Sequence, residues 1–204
     1  MLKPISNTIQ GVINFTWPMV VISAIILVSF RVCYLIKSKQ KIVLYKELSM
    51  LIFGIYILCL FQIVTSTDIS SSYGNNFIPF KEIMRYKPFS NLFMKNVVGN
   101  VLLFLPYGYF VGRYFAGKSK VLSIFLITLA SVAIEYTQLS IGRVFDVDDI
   151  LLNVIGGTLG YMLFLFSNNL FDSLPKICKT EWFLNTIFIL LLILFFVFLG
   201  FLLV

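Results

Sequence analysis

The stretch Arg143-Val144-Phe145-Asp146-Val147-Asp148-Asp149-Ile150-Leu151-Leu152-Asn153-Val154-Ile155-Gly156-Gly157-Thr158-Leu159-Gly160 decides how this chain folds. It begins charged and turns apolar, so a hydrated turn runs straight into a helix that water does not solvate. At 100° per residue, Asp149, Asn153, Gly156 and Gly160 stand at i, i+4, i+7 and i+11 and share a narrow arc. A charge in the middle of a membrane helix costs about 2.5–3.5 kcal/mol, so this face must meet protein and not lipid. Gly156-x-x-x-Gly160 lets a neighbouring helix come close.

The residues on either side extend the same reading. Runs near the 20 residues needed to cross about 30 Å of hydrocarbon lie at 15–36, 48–65, 97–115, 121–141, 150–166 and 182–204. The chain is 59% hydrophobic and 12% charged and contains 22 Phe, where a soluble domain carries about 25% charged residues. The expected fold is all-α: a polytopic membrane bundle of about six transmembrane helices. The first run is too long for a signal-peptide core, ends in lysines and lacks a small-residue cleavage site, so it is expected to remain as a span. Domain limits are expected at 1–47, 48–166 and 167–204.

The net charge of +7 resides largely in interhelical loops, which points to membrane orientation and away from nucleic acid. Lys37, Lys39, Lys41, Lys46, Arg113, Lys118, Lys120, Lys176 and Lys179, with Arg31, fall on one side. Lys3, Lys81, Arg85, Lys87, Lys95 and Arg143 fall on the other. The bias places both termini outside a bacterial cell membrane. Three scattered cysteines, no CxxC spacing and no histidine argue against a disulfide framework or a Cys/His metal site. The commonest general base is missing as well.

The second loop opens with Ser66-Thr67-Asp68 and reads as flexible. It then turns aromatic and basic through Asn76-Phe77-Ile78-Pro79-Phe80-Lys81, Tyr86, Phe89 and Phe93, the composition of a segment lying in the headgroup layer.

Other polar residues gather at the same end of the bundle. Thr128, Ser131, Glu135 and Gln138 share one face of the fourth run. The third run opens with Asn96 and Asn100 one turn apart, then carries Pro106, which is expected to kink it, and Gly108-x-x-x-Gly112 for close packing. Arg143 stands among Glu135, Asp146, Asp148 and Asp149, and its planar fork suits bidentate carboxylate pairing. Asp148 or Asp149 would cap the fifth helix.

The ordered set Asn96-x-x-Gly99-Asn100-x-x-x-Phe104-x-Pro106-x-Gly108, Glu135-x-x-Gln138, and Arg143-x-x-Asp146-x-x-Asp149-x-x-x-Asn153-x-x-Gly156-x-x-x-Gly160 resembles the VanZ-like family of bacterial membrane proteins. Asn76-Phe77-Ile78-Pro79-Phe80 is similar to that family's Asn-x-Ile-Pro-Phe element. The resemblance implies a cell-envelope role, linked in the namesake to low-level teicoplanin resistance and in relatives to lipoglycopeptide resistance.

Two functions follow as expectations. In the first, Asn96, Asn100, Glu135, Gln138, Arg143, Asp146, Asp149 and Asn153 line an outward-facing polar pocket. It would take a lipid headgroup, a lipid-linked cell-wall precursor or a lipoglycopeptide, without a cofactor. In the second, the protein is a membrane-embedded hydrolase or transferase on a lipid-linked phosphate. Glu135 would be its acid or base, and Asp146, Asp148 and Asp149 would hold Mg²⁺. The missing base–nucleophile pair favours binding.

Overall fold

A computed structural model describes residues 3–39, 41–65, 74–115 and 119–203. The Ser66-Thr67-Asp68 segment, read above as flexible, and Lys118 lie outside them. Each apolar run is a helix: α1 Lys3–Ser38, α2 Leu44–Thr65, α5 Gly99–Phe115, α6 Lys120–Ser140, α7 Val147–Ser173 and α8 Glu181–Leu203, with short α3 Lys81–Arg85 and α4 Asn91–Phe93 ahead of α5. Among the described residues there is no strand, only an isolated parallel bridge between Asn76 and Asp146. Among the described residues five helices, α1 from Trp17 onward together with α2, α6, α7 and α8, are long and apolar enough to cross a membrane.

α5 has 17 residues, but α4 and a π-helical turn, Met94–Val98, lead into it without a break. The Gly99 N–H reaches back to the Met94 carbonyl to close that turn. Such wide turns are uncommon and often mark functional segments. α7 runs past the expected 150–166 to Ser173, and its later hydroxyls are satisfied within the helix. Ser167 donates to Phe164 O at 2.8 Å and Ser173 to Asn169 O at 3.0 Å.

The chain divides into two compact units. Their limits differ from the expected breaks near 48 and 166, because α7 stays intact and α8 keeps company with α1 and the start of α2. The first unit is Met1–Ile63 with Leu174–Val204. In it Arg31 grips Glu47 through Nε at 2.7 Å and Nη2 at 3.1 Å. Lys41 pairs with Glu181 at 2.8 Å, and the Tyr45 N–H donates to Asn185 Oδ1 at 2.9 Å.

The second unit, Val64–Ser173, is built on α5 packed along α7. A Cβ on Gly156 would overlap the Val101 carbonyl, one on Gly160 the Leu105 carbonyl, and one on Gly108 the Gly157 carbonyl. The two backbones touch at a distance that only hydrogen in place of a side chain permits. Gly112 lies against the Phe164 ring, and Gly157 receives Ile127 of α6. Phe104, Ile127 and Tyr161 form the buried centre.

Candidate functional site

The site forms where α6 ends and α7 begins. Gly142, at φ +84°, takes the left-handed conformation that turns the chain there. Glu135 is 1% exposed. Its Oε2 accepts the Asp146 N–H at 3.0 Å, and its Oε1 accepts from the Gln138 amide at 2.9 Å. Gln138 in turn accepts from Arg143 Nη1 at 3.1 Å, and the same nitrogen donates to the Val64 carbonyl at 3.1 Å. The expected bidentate pairing of Arg143 with a carboxylate is therefore corrected: an amide relays between cation and anion. The reason is local. Glu135 already has an acceptor bond on each oxygen, and Gln138 stands one turn closer to the arginine.

On the facing side, Asn100 of α5 donates to Asp149 Oδ1 of α7 at 2.5 Å. One turn deeper, Asn153 is 5% exposed and makes no hydrogen bond to another described residue. Its place on α7 is fixed by its neighbours. Gly156 meets α5 and Gly157 meets α6, so Asn153 looks into the seam between them. Glu135 and Asn153 thus both turn inward and not toward lipid.

A second network holds the loop before α5. Asn76, buried, donates through Nδ2 to Asp146 Oδ1 at 2.8 Å. Its backbone pairs with the other strand-like segment, N–H to Phe145 O at 2.8 Å and carbonyl to the Val147 N–H at 3.1 Å. The Phe77 and Phe145 rings stack at 5.5 Å. Asp148, 1% exposed, accepts the N–H groups of Phe80, of Glu82 at 2.7 Å and of Ile83 at 3.2 Å. It thereby caps α3 from another part of the chain. The pair expected to cap α7, Asp148 and Asp149, stands in its first turn, while Asp146 Oδ1 accepts the Asp148 N–H at 2.9 Å. Phe80 sits at φ 67°, a costly conformation for a bulky residue, held where its N–H meets Asp148.

Of the three carboxylates in the Mg²⁺ alternative, Asp148 has both oxygens engaged by backbone donors of the loop. Among the described residues no group of three or more acidic, His or Cys side chains is placed to hold a metal ion. Asn96 is not drawn into the cluster either. It donates to the Tyr86 hydroxyl at 2.8 Å and ties the loop to the π turn.

Asp146 lies outside the spanning helices. Burial pushes its carboxyl above the usual range, partly offset by the Asn76 amide and the Asp148 N–H, while the Asp148 and Glu82 charges push the same way as burial.

The family model for VanZ/LLP1 matches residues 21–172, which takes in α2, the docked loop, α5, α6 and nearly all of α7. The chain belongs to the VanZ/LLP1 family. No curated protein and no solved structure matches it. With its apolar helices, this VanZ/LLP1 chain is a multi-pass membrane protein. The VanZ/LLP1 match begins within α1, ahead of the motifs from Asn76 to Gly160 that carry the resemblance, and leaves out α8.

Three features of the site lay beyond sequence reasoning: the Val64 carbonyl as partner of Arg143, the Asn76–Asp146 bridge and the capping of α3 by Asp148. The only signal for the second was the Asn76-to-Phe80 element, which no spacing rule connects to Asp146.

Proposed function

We propose that the VanZ/LLP1 site between α5, α6 and α7 binds the polar head of an amphiphile at the extracytoplasmic face of the bacterial membrane. A lipid-linked cell-wall precursor or a lipoglycopeptide has the required chemistry. Asn153 carries the reading: its amide makes no hydrogen bond to another described residue, and on a residue only 5% exposed its polar atoms are not sealed inside the fold, which leaves its donors and acceptor for a ligand's head. Asp149 and Asn100 stand one turn above it and supply further acceptor and donor atoms.

The polar groups of the site narrow the ligand. Against Arg143 stand the carboxyl groups of Glu135, Asp146, Asp148 and Asp149, so the site is rich in hydrogen-bonding oxygens. It favours a head rich in hydroxyl or amine groups over a bare phosphate. In a host exposed to a teicoplanin-type glycopeptide, occupancy of this site would lower susceptibility. The hydrolase or transferase alternative draws less support, since both Glu135 oxygens are engaged inside the fold.

The test is a thermal-shift titration of the purified protein in detergent with teicoplanin and with a polyprenyl-linked wall precursor. A ligand at 100 times its Kd adds about 2.7 kcal/mol of stability, and Asn153→Leu should abolish the shift while the protein stays folded. No shift with either probe, or a shift unaltered in Asn153→Leu, would remove the reading.

A further inference from the structure

The hairpin of α1 and α2 carries a separate feature. Ser23, Ile26 and Leu27 of α1 face Phe53, Gly54 and Ile57 of α2 across an open apolar groove of about 430 Å³. Gly54 leaves room there, since a Cβ on it would meet only the tip of Leu27.

The head of the groove is basic. Lys37 follows Ile26 by 11 residues and Lys46 precedes Phe53 by seven, so each lies within about 20° of the groove's own face at 100° per residue. Lys39 stands in the turn between them. The nearby acidic groups are already committed: Glu47 to Arg31, and Glu181 to Lys41. Lys37, Lys39 and Lys46 are exposed and make no ion pair with a described residue. Tyr34 and Trp182, 51% and 75% exposed, mark the same end as the headgroup level, where such amphipathic rings collect.

The depths agree with one kind of occupant. At 1.5 Å per residue, the groove runs from about 10 Å to about 21 Å below the lysines, inside a roughly 30 Å hydrocarbon layer and at the depth of an acyl chain. We infer that this hairpin is a binding site for an anionic phospholipid, its phosphate on Lys37, Lys39 and Lys46 and an acyl chain in the groove. Apolar lining alone would accept any lipid. The uncompensated lysines at its head select the anionic one.

Native mass spectrometry of the full chain, released from mixed micelles, tests this with phosphatidylglycerol and phosphatidylcholine of identical acyl chains. The expected result is about tenfold more bound phosphatidylglycerol than phosphatidylcholine. The double variant Lys37→Gln/Lys46→Gln should bring the ratio close to one and leave phosphatidylcholine binding unchanged. Ser23→Phe, which fills the groove, should reduce both lipids, and inorganic phosphate should not compete. Equal binding of the two lipids, a preference that survives the double variant, competition by inorganic phosphate alone, or protein dimers in place of lipid adducts would each overturn the assignment. Circular dichroism of each variant confirms that lost binding is not lost fold.

Discussion

The Asn76 amide nitrogen and Asp146 Oδ1 are 2.8 Å apart although 70 positions separate them in the chain. With the adjoining backbone bridge, this contact fastens the loop ahead of α5 to the turn between α6 and α7. The polar site of this VanZ/LLP1 protein is therefore roofed by a segment that would otherwise be a linker.

Asp148 should be the stronger mooring. It satisfies three backbone N–H groups while nearly inaccessible to water. Replacing Asp148 with Ala should destabilise the protein by about 3 kcal/mol and open residues 74–86 to limited proteolysis. Asp148→Asn keeps one acceptor and should fall between the two. Cleavage kinetics and melting in detergent measure both effects, and wild-type protection in Asp148→Ala would refute the mooring.

The α5–α7 seam should tolerate no added carbon. Gly156→Ala or Gly160→Ala sets a methyl into the opposing backbone, and the strain should exceed the usual overpacking penalty of about 1–3 kcal/mol. The readout is the fraction of monodisperse protein on size exclusion. Gly200→Ala, with nothing within 4 Å of its Cβ, serves as the neutral control.

Asn153 gives the opposite expectation for stability. Replacing an amide that makes no hydrogen bond to another described residue by an apolar side chain of the same shape is near neutral or stabilising. Asn153→Leu should melt no lower than wild type without ligand, and a clear drop in melting temperature would show that the amide has a structural partner.

Asp146 sets a pH dependence. Because burial raises its carboxyl above the usual value, the folded protein keeps that proton after the unfolded chain has lost it. The resulting stability is complete below about pH 3.9, the ordinary aspartate value, and is lost as pH rises through the folded-state value. Asp146→Asn retains the acceptor oxygen for Asn76 and removes this titration, so its melting temperature should fall less steeply with rising pH. Parallel wild-type and variant curves would contradict the assignment.

The spans were legible in the sequence because lipid imposes a crude demand, a long apolar run, that needs no partner to read. The inward arc of Asp149, Asn153, Gly156 and Gly160 was legible for a similar reason, since helical period converts spacing into a shared face. The π turn at Met94–Val98 was not, because nothing in Met-Lys-Asn-Val-Val distinguishes a wide turn from an ordinary one. Nor were the partners of Asp148 and Arg143. Both bond to backbone atoms of Phe80, Glu82, Ile83 and Val64, and a backbone atom leaves no trace in residue identity. Arg143 was read as the partner of a carboxylate on charge alone, whereas Gln138 comes between them.

The capping of α3 by Asp148 has a consequence for biogenesis. Asn76 and Phe80 leave the ribosome 70 and 68 residues ahead of the side chains that hold them. Their segment must wait, already translated, until the α6–α7 turn has been synthesised and inserted. Assembly of this unit thus finishes backwards, the last helix made in it completing the first loop.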